Sequence, residues 1–103
     1  MKTAAVTSIL MIGFLSTHNV NAASLYAGQS KAAAVCSQCH GIRSPSTEAP
    51  FPPLAGRDAD YLESALKQYR DKIRVSDIMN NIAGSLTDRD IENIAAYYAK
   101  QKP

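Results

Sequence analysis

The chain has 103 residues, of which 46% are apolar and 19% charged, and its formal net charge is +2. This length allows one domain, and a core of this size seldom folds without a metal, a disulfide or a cofactor. So weak a positive field argues against nucleic acid as a partner.

Residues 1–22 have the layout of a secretory signal peptide. Lys2 precedes an apolar run over residues 4–15, and the segment ends in Val-Asn-Ala, with small residues where a signal peptidase reads them. A membrane span needs about 20 consecutive apolar residues, so we expect cleavage, after Ala22 or alternatively after Ala23. The expected mature domain is residues 23–103, located in the periplasm without stable membrane insertion.

The scarce residue types of this mature domain are informative. It keeps two cysteines, one histidine and one methionine, and Cys36, Cys39 and His40 form the pattern C-x-x-C-H. Two thiols three residues apart at a helix end can reach both vinyl groups of one porphyrin, and the adjacent imidazole then meets the iron. The motif predicts one covalently bound haem c, with Cys36 and Cys39 as thioether links and His40 as an axial ligand.

Three other uses of the cysteines compete with haem attachment. A disulfide gives no role to the histidine. A zinc site needs four ligands, and the expected mature domain has no second Cys/His cluster. A thioredoxin-type redox pair follows a strand in a βαβ unit, whereas the surrounding sequence has helical periodicity. Haem attachment is the interpretation that uses all three residues.

Met79 is the other soft donor of the expected mature domain. A thioether suits reduced iron, and His/Met ligation raises the reduction potential of haem relative to many other ligand sets. A lone methionine more often fills a core, but this one lies in a short segment between two predicted helices. The sequence therefore predicts Met79 as the second axial ligand, in an apolar shell with Leu54, Ile78 and Ile82. Such ligation favours electron transfer over peroxidase chemistry at an open sixth position.

Helical periodicity predicts an all-α fold with three main helices, and no segment alternates as a strand does. The first helix covers residues 24–36, with Ser24 as its N-cap. The second runs from residue 58 or 60 to residue 72. Its expected inner face comprises Leu62, Ala65, Leu66, Tyr69 and Ile73. The third begins at Thr87, where Asp90 favours the helix dipole. Its expected inner face comprises Ile91, Ile94, Ala95 and Tyr98.

The segment between the first two helices, residues 44–56, contains four prolines. Proline lacks an N–H but keeps its carbonyl, so a rigid carbonyl can accept the ring N–H of His40 and fix its tautomer. Pro52 is the best candidate, and an ordinary rigid loop is the alternative. Arg57 and Tyr61 are expected to donate to the haem propionates; the alternative is a surface arginine beside a core tyrosine.

Four segments occur in an order that resembles the class I cytochromes c, most closely the bacterial c4 and c-553 type. Their sequences are CSQCHG, PPLAG, IMN and DIENIAAYY. The resemblance implies a small all-α fold around one haem, with His40 proximal and Met79 distal. It also implies a close crossing of the first and last helices at Gly28 and Tyr97. Cytochromes c4 carry two such domains in tandem, whereas this sequence contains one C-x-x-C-H.

Two functions are consistent with these features. The first is a periplasmic carrier of single electrons, not itself an enzyme, that docks briefly with redox partner proteins. The alternative is the haem subunit of an oxidoreductase such as flavocytochrome c sulfide dehydrogenase, which takes electrons from a flavoprotein subunit and presents a larger apolar patch. Residues 67–74 hold four basic side chains and one acidic one. They can steer an acidic partner or form an ordinary solvated helix face.

Overall fold

The computed structural model describes Gly13, residues 23–44 and residues 51–103. Apart from Gly13, the predicted signal peptide lies outside the described residues, and so do Pro45 and Pro50 of the proline-containing loop. The boundary after Ala22 therefore stays a prediction. Within the described ranges, no helix is both long and apolar enough to cross a membrane.

Helices connected by turns make up the described part of the chain, which contains no strand. They are α1 (Leu25–Lys31), a π-helical segment (Ala32–Cys36), α2 (Ser37–His40), α3 (Ala59–Arg70), α4 (Asp77–Gly84) and α5 (Asp88–Ala99). The predicted all-α class is confirmed.

Side-chain caps set the starts of the three predicted helices. The Ser24 hydroxyl accepts a backbone N–H of α1 at 3.1 Å, and the Asp58 carboxylate does the same for α3. Thr87 and Asp90 bond reciprocally to each other's backbone N–H groups in a capping box at α5. These contacts are local in sequence, which is why the helix starts could be predicted.

α4 was not predicted, because the region around Met79 was expected to be a short segment between helices. The structure places Met79 in the first turn of an eight-residue helix that begins after Ser76. The Ser76 hydroxyl accepts the N–H of Met79 at 3.3 Å. Ser76 was a recognisable N-cap signal, but a helix of eight residues is too short to give a strong periodic pattern.

α3 ends at Arg70, before the predicted end at residue 72. Lys72 adopts a left-handed backbone conformation with φ 62°, and the N–H of Ile73 then bonds to the carbonyl of Gln68 at 2.8 Å. The Ile73 side chain is 71% exposed, so its predicted place on the inner face is wrong. The helix thus ends two residues before the left-handed Lys72, although the apolar periodicity of the sequence continues to Ile73.

The first and last helices cross at Gly28. A Cβ at this position would overlap the carbonyl oxygen of Asn93 and lie 2.9 Å from the Cβ of Tyr97. The amide of Ser24 also donates to the Asn93 side chain at 2.8 Å. The implied contact of Gly28 with Tyr97 is confirmed, and Asn93 is a closer neighbour that was not predicted.

The core is formed mainly by α5, whose four predicted inner residues are all buried. α1 covers one side of α5, and α3 covers another. An ion pair of 2.7 Å between Arg70 and Asp88 joins the end of α3 to the start of α5. The guanidinium of Arg70 bonds to the carboxylate of Asp88 and holds its pKa below the usual range.

Gly28→Ala is expected to destabilise the protein by about 1–3 kcal/mol, because the added methyl group must push two helix backbones apart. Urea denaturation of the haem-loaded protein, followed by circular dichroism, measures this loss. Gly84→Ala is the matched control, since a Cβ there meets nothing within 4 Å. Equal stability of the two variants would show that the crossing is looser than described.

Candidate functional site

A cavity of about 300 Å³ lies between the C-x-x-C-H segment, the loop that follows residue 50, and helices α3, α4 and α5. All the residues predicted for the haem site line it, namely Cys36, Cys39, His40, Pro52, Leu54, Arg57, Tyr61 and Met79. Ile78 and Ile82, expected in the apolar shell, line it as well. Lining residues that were not assigned to the site include Phe51, Tyr69, Arg74 and Tyr98.

The two cysteines reach the cavity from the end of the first helical stretch. Cys36 closes the π segment, in which the N–H of Ser37 bonds to the carbonyl of Ala32, and Cys39 lies in α2. The two cysteines form no disulfide with each other. Burial raises the pKa of Cys36 to about 11, and the charge of Lys31 offsets part of this increase.

The zinc alternative receives no support from the described part of the chain. No three residues of the types His, Cys, Asp and Glu lie close enough together there to hold a metal ion. A protein zinc site takes four ligands in structural cases and three in catalytic ones. The donor set at the cavity, two thiols with one imidazole and one thioether, fits haem c instead.

His40 is buried, and its Nδ1 lies 2.8 Å from the carbonyl oxygen of Pro52. A carbonyl oxygen only accepts hydrogen bonds, so this contact requires the ring proton on Nδ1. Nε2 then keeps its lone pair for a metal. This is the contact expected from the sequence, whereas the role of Nε2 as an iron ligand stays a prediction. The ring of Phe51 lies 5.9 Å from that of His40.

Tyr98 holds the chain immediately after His40. Its side chain is fully buried, and its hydroxyl donates to the carbonyl of Gly41 at 2.8 Å. Gly41 has a φ of 68°, a conformation that ends α2 and favours glycine. Burial raises the pKa of Tyr98 well above its usual value. The sequence placed Tyr98 in the core, but nothing in it indicated Gly41 as the partner.

Met79 approaches the cavity from α4 and is half-buried. Leu54 and Ile82 line the same space and are also half-buried, whereas Ile78 is 58% exposed. The described structure thus brings the methionine and the histidine, which are distant in sequence, to one predominantly apolar cavity.

Cationic and aromatic side chains form one edge of the cavity. Arg57 donates to the carbonyl of Pro53 at 2.9 Å, and its guanidinium lies 5.5 Å from the ring centre of Tyr61. Arg74 was not predicted here, yet it lies 5.8 Å from the rings of Tyr61 and Tyr69. The sequence offered one indication, the position of Arg74 in the basic segment of residues 67–74. Only the course of the turn after α3 brings this side chain to the cavity.

The basic segment over residues 67–74 makes several internal contacts. Lys67 bonds to Glu63 at 2.9 Å, a contact that raises the pKa of Lys67. Arg70 contacts the acidic start of α5, and Arg74 bonds to the Gln68 side chain at 2.6 Å. Three of its four basic side chains are therefore engaged within the protein, which favours the ordinary helix face over partner steering.

An all-α fold that carries a C-x-x-C-H motif and a distant methionine to one cavity is the arrangement of class I c-type cytochromes. The family described as cytochrome c oxidase, cbb3-type, subunit III matches residues 23–97. The chain therefore belongs to this family of cytochrome c domains, and its cofactor is covalently bound haem c.

Relatives of this chain include cytochromes of several bacteria. Cytochrome c4 of Pseudomonas aeruginosa is 42% identical over 76 residues, which are 74% of this chain and 37% of that protein. Cytochrome c-554(548) of Halomonas halodenitrificans is 41% identical over 70 residues, 65% of this chain and 84% of that one. A thiosulfate dehydrogenase electron acceptor of Stutzerimonas stutzeri is 37% identical over 67 residues, 62% of this chain and 31% of that protein.

A solved structure shows the same fold. The crystal structure of reduced recombinant cytochrome c4 from Pseudomonas stutzeri matches with a TM-score of 0.65 at 24% identity. The match covers 77% of this chain and 50% of the solved one. This chain thus spans about half of that structure and about two fifths of the Pseudomonas aeruginosa protein.

Tyr98→Phe is expected to lower the free energy of unfolding by about 1–2 kcal/mol, because it leaves the half-buried carbonyl of Gly41 without its donor. Urea denaturation of the haem-loaded protein measures the loss. Tyr97→Phe is the control, since the hydroxyl of this buried neighbour makes no hydrogen bond to the described residues. Indistinguishable losses in the two variants would count against the Tyr98–Gly41 bond.

Proposed function

We propose that this protein carries single electrons in the periplasm through one haem c. In this proposal residues 1–22 are removed on export, and the domain of residues 23–103 attaches the haem at Cys36 and Cys39. His40 and Met79 are the axial ligands. The observation that carries the proposal is that these four side chains, from two separate parts of the chain, line one cavity.

The proximal side of the site is organised by the backbone. The carbonyl of Pro52 accepts the Nδ1 proton of His40, which selects one tautomer, orients the ring and makes Nε2 a better donor to the iron. The hydroxyl of Tyr98 holds Gly41, the residue after the ligand. Haem c, when bound, supplies the one-electron exchange between ferrous and ferric iron. The protein keeps the imidazole in a single orientation throughout.

The distal side sets the expected reduction potential. A thioether ligand stabilises ferrous iron relative to ferric iron, and apolar neighbours such as Leu54 and Ile82 disfavour the additional charge of the ferric centre. Both effects raise the potential. Arg57 and Tyr61, at the rim of the cavity, are proposed donors to the haem propionates.

The cavity opening is the proposed docking surface for redox partners. Ile78 and Tyr61 both line the cavity and are more than 40% exposed, which gives a small apolar edge suited to brief contacts. Three of the four basic side chains of residues 67–74 are engaged within the protein. Partner recognition is therefore proposed to depend on shape and apolar contact more than on a basic surface.

A bound redox subunit is the second candidate. The exposed apolar side chains Ile73, Val75 and Ile78 favour a lasting interface, and one relative is named a thiosulfate dehydrogenase electron acceptor. A flavoprotein such as that of flavocytochrome c is the other partner considered. Gel filtration of native extract, monitored by haem absorbance, separates a free carrier from a complex. Flavin that co-elutes with the haem would favour the flavoprotein subunit.

Covalent attachment predicts that the haem stays with the denatured chain. Denaturing electrophoresis followed by haem staining should give a coloured band for the wild type and none for the double variant Cys36→Ala, Cys39→Ala, because thioether bonds survive denaturation. Met79→Ala should keep the band, since coordination is not needed for retention. Haem that passes from the wild type into acidified organic solvent would contradict attachment.

Met79→Ala is expected to abolish the weak near-infrared absorption of methionine-ligated ferric haem. The reduction potential should fall by about 0.1 V or more, part of the roughly 0.8 V range set by haem ligands. Ile78→Ala, a change at the neighbouring cavity-lining residue, should keep the band. A wild type without the band, or a Met79→Ala variant with the wild-type potential, would rule out methionine ligation.

A further inference from the structure

The turn between α3 and α4, residues 71–76, receives little support from the core. Ile73 is 71% exposed and Val75 is 86% exposed, and Lys72 has a left-handed backbone conformation. Burial of apolar surface therefore contributes little to holding this turn. The turn nevertheless decides where α4 begins, and Met79 lies in the first turn of α4.

The side chain of Asn80 supplies the missing support through three hydrogen bonds. Its Nδ2 donates to the carbonyl of Tyr69 at 2.7 Å and to the carbonyl of Arg74 at 2.8 Å. Its Oδ1 accepts the N–H of Ser76 at 2.9 Å. Both amide protons and the amide oxygen are thus engaged, which is nearly the full capacity of an asparagine.

These bonds join three consecutive backbone segments. Tyr69 belongs to the last turn of α3, Arg74 to the connecting turn, and Ser76 is the N-cap of α4. Gln68 bonds to the first half of the turn, through its carbonyl and its side chain. Over the described residues, the hydrogen bond from Asn80 to Tyr69 is the side-chain bond that joins α4 directly to α3. The Ser76 hydroxyl adds a bond from the turn to the N–H of Met79.

We infer that Asn80 is a positioning residue for Met79. By fixing the start of α4 against the end of α3, it keeps the adjacent methionine sulfur at the cavity and limits its dissociation from the iron. The inference rests on the proposed function, in which Met79 is an axial ligand. Asn80 itself does not line the cavity.

Asn80→Asp is the sharpest variant, because it keeps the shape of the side chain and the acceptor for Ser76. At neutral pH it replaces both amide protons with a carboxylate oxygen that faces the carbonyls of Tyr69 and Arg74. Asn81→Asp introduces the same charge one residue further on, at an exposed position whose side chain makes no hydrogen bond to the described residues. The comparison separates the hydrogen bonds of Asn80 from the effect of a nearby negative charge.

Imidazole binding to the ferric haem-loaded protein reports how readily the distal ligand is displaced. Asn80→Asp should bind imidazole at least about tenfold more tightly than the wild type, because loss of two hydrogen bonds loosens the methionine. Its near-infrared band should be weaker. Asn81→Asp should stay within about twofold of the wild type. If Asn80→Asp only lowers the melting temperature and leaves imidazole affinity and the band unchanged, Asn80 is structural and the inference is wrong.

Two further outcomes keep the inference separate from the proposed function. If the wild type lacks the near-infrared band, methionine is not an axial ligand, and both the proposed ligation and the inference about Asn80 are wrong. A wild type with the band and an unaffected Asn80→Asp variant overturns the inference alone.

A measurement on the wild type covers the case in which the variants do not retain haem. In the reduced haem-loaded protein, nuclear magnetic resonance should show the side-chain amide protons of Asn80 exchanging with water at least about tenfold more slowly than those of Asn81. The reason is that the two amide protons of Asn80 are each bonded to a backbone carbonyl. Equal exchange at the two asparagines would overturn the inference.

Discussion

The close approach of two helix backbones at Gly28 is the constraint on which the rest of the structure depends. α1 leads to the C-x-x-C-H motif, and α5 carries the buried Tyr98, so the distance between these helices decides whether motif and core can meet. Only a residue without a Cβ allows the contact with Asn93. From this crossing, Tyr98 reaches Gly41 on one side, and its own carbonyl accepts the N–H of Gly56 on the other. One helix contact therefore places both the motif and the loop that supplies the histidine's partner.

Backbone groups near the cavity do much of the positioning. The carbonyl of Pro52 faces His40, the carbonyl of Gly41 faces Tyr98, and the carbonyl of Arg74 faces Asn80. Each pairing satisfies a polar group beside an apolar space, where an unpaired carbonyl would cost about 1–3 kcal/mol. The same bonds restrict side chains that a purely apolar wall would leave free to rotate. The apolar side chains that line the cavity and the hydrogen bonds beside it thus have different roles. The apolar lining disfavours the additional charge of a ferric centre, and the hydrogen bonds fix the orientation of side chains.

The surface around the cavity combines basic side chains that have partners within the protein with exposed apolar side chains. Arg57 and Arg74 lie over aromatic rings, and Lys67 and Arg70 contact carboxylates. Ile78 and Val75, by contrast, are largely exposed next to the segment that carries Met79. A partner that covers these side chains would also bury the turn supported by Asn80. The proposed docking surface and the proposed support of the distal ligand are therefore neighbours in the structure.

The sequence by itself determined what depends on short-range chemistry. The spacing of Cys36, Cys39 and His40 identified the haem motif, since the three groups act on one porphyrin. Ser24 and Thr87 marked helix starts because caps bond within a few residues. The tertiary structure alone decided that α3 ends at Arg70, that Met79 belongs to a helix, and that Asn93, Arg74 and Asn80 have the partners described above. Their bonds join elements whose relative placement follows from the packing of the whole chain, and no local pattern encodes that placement.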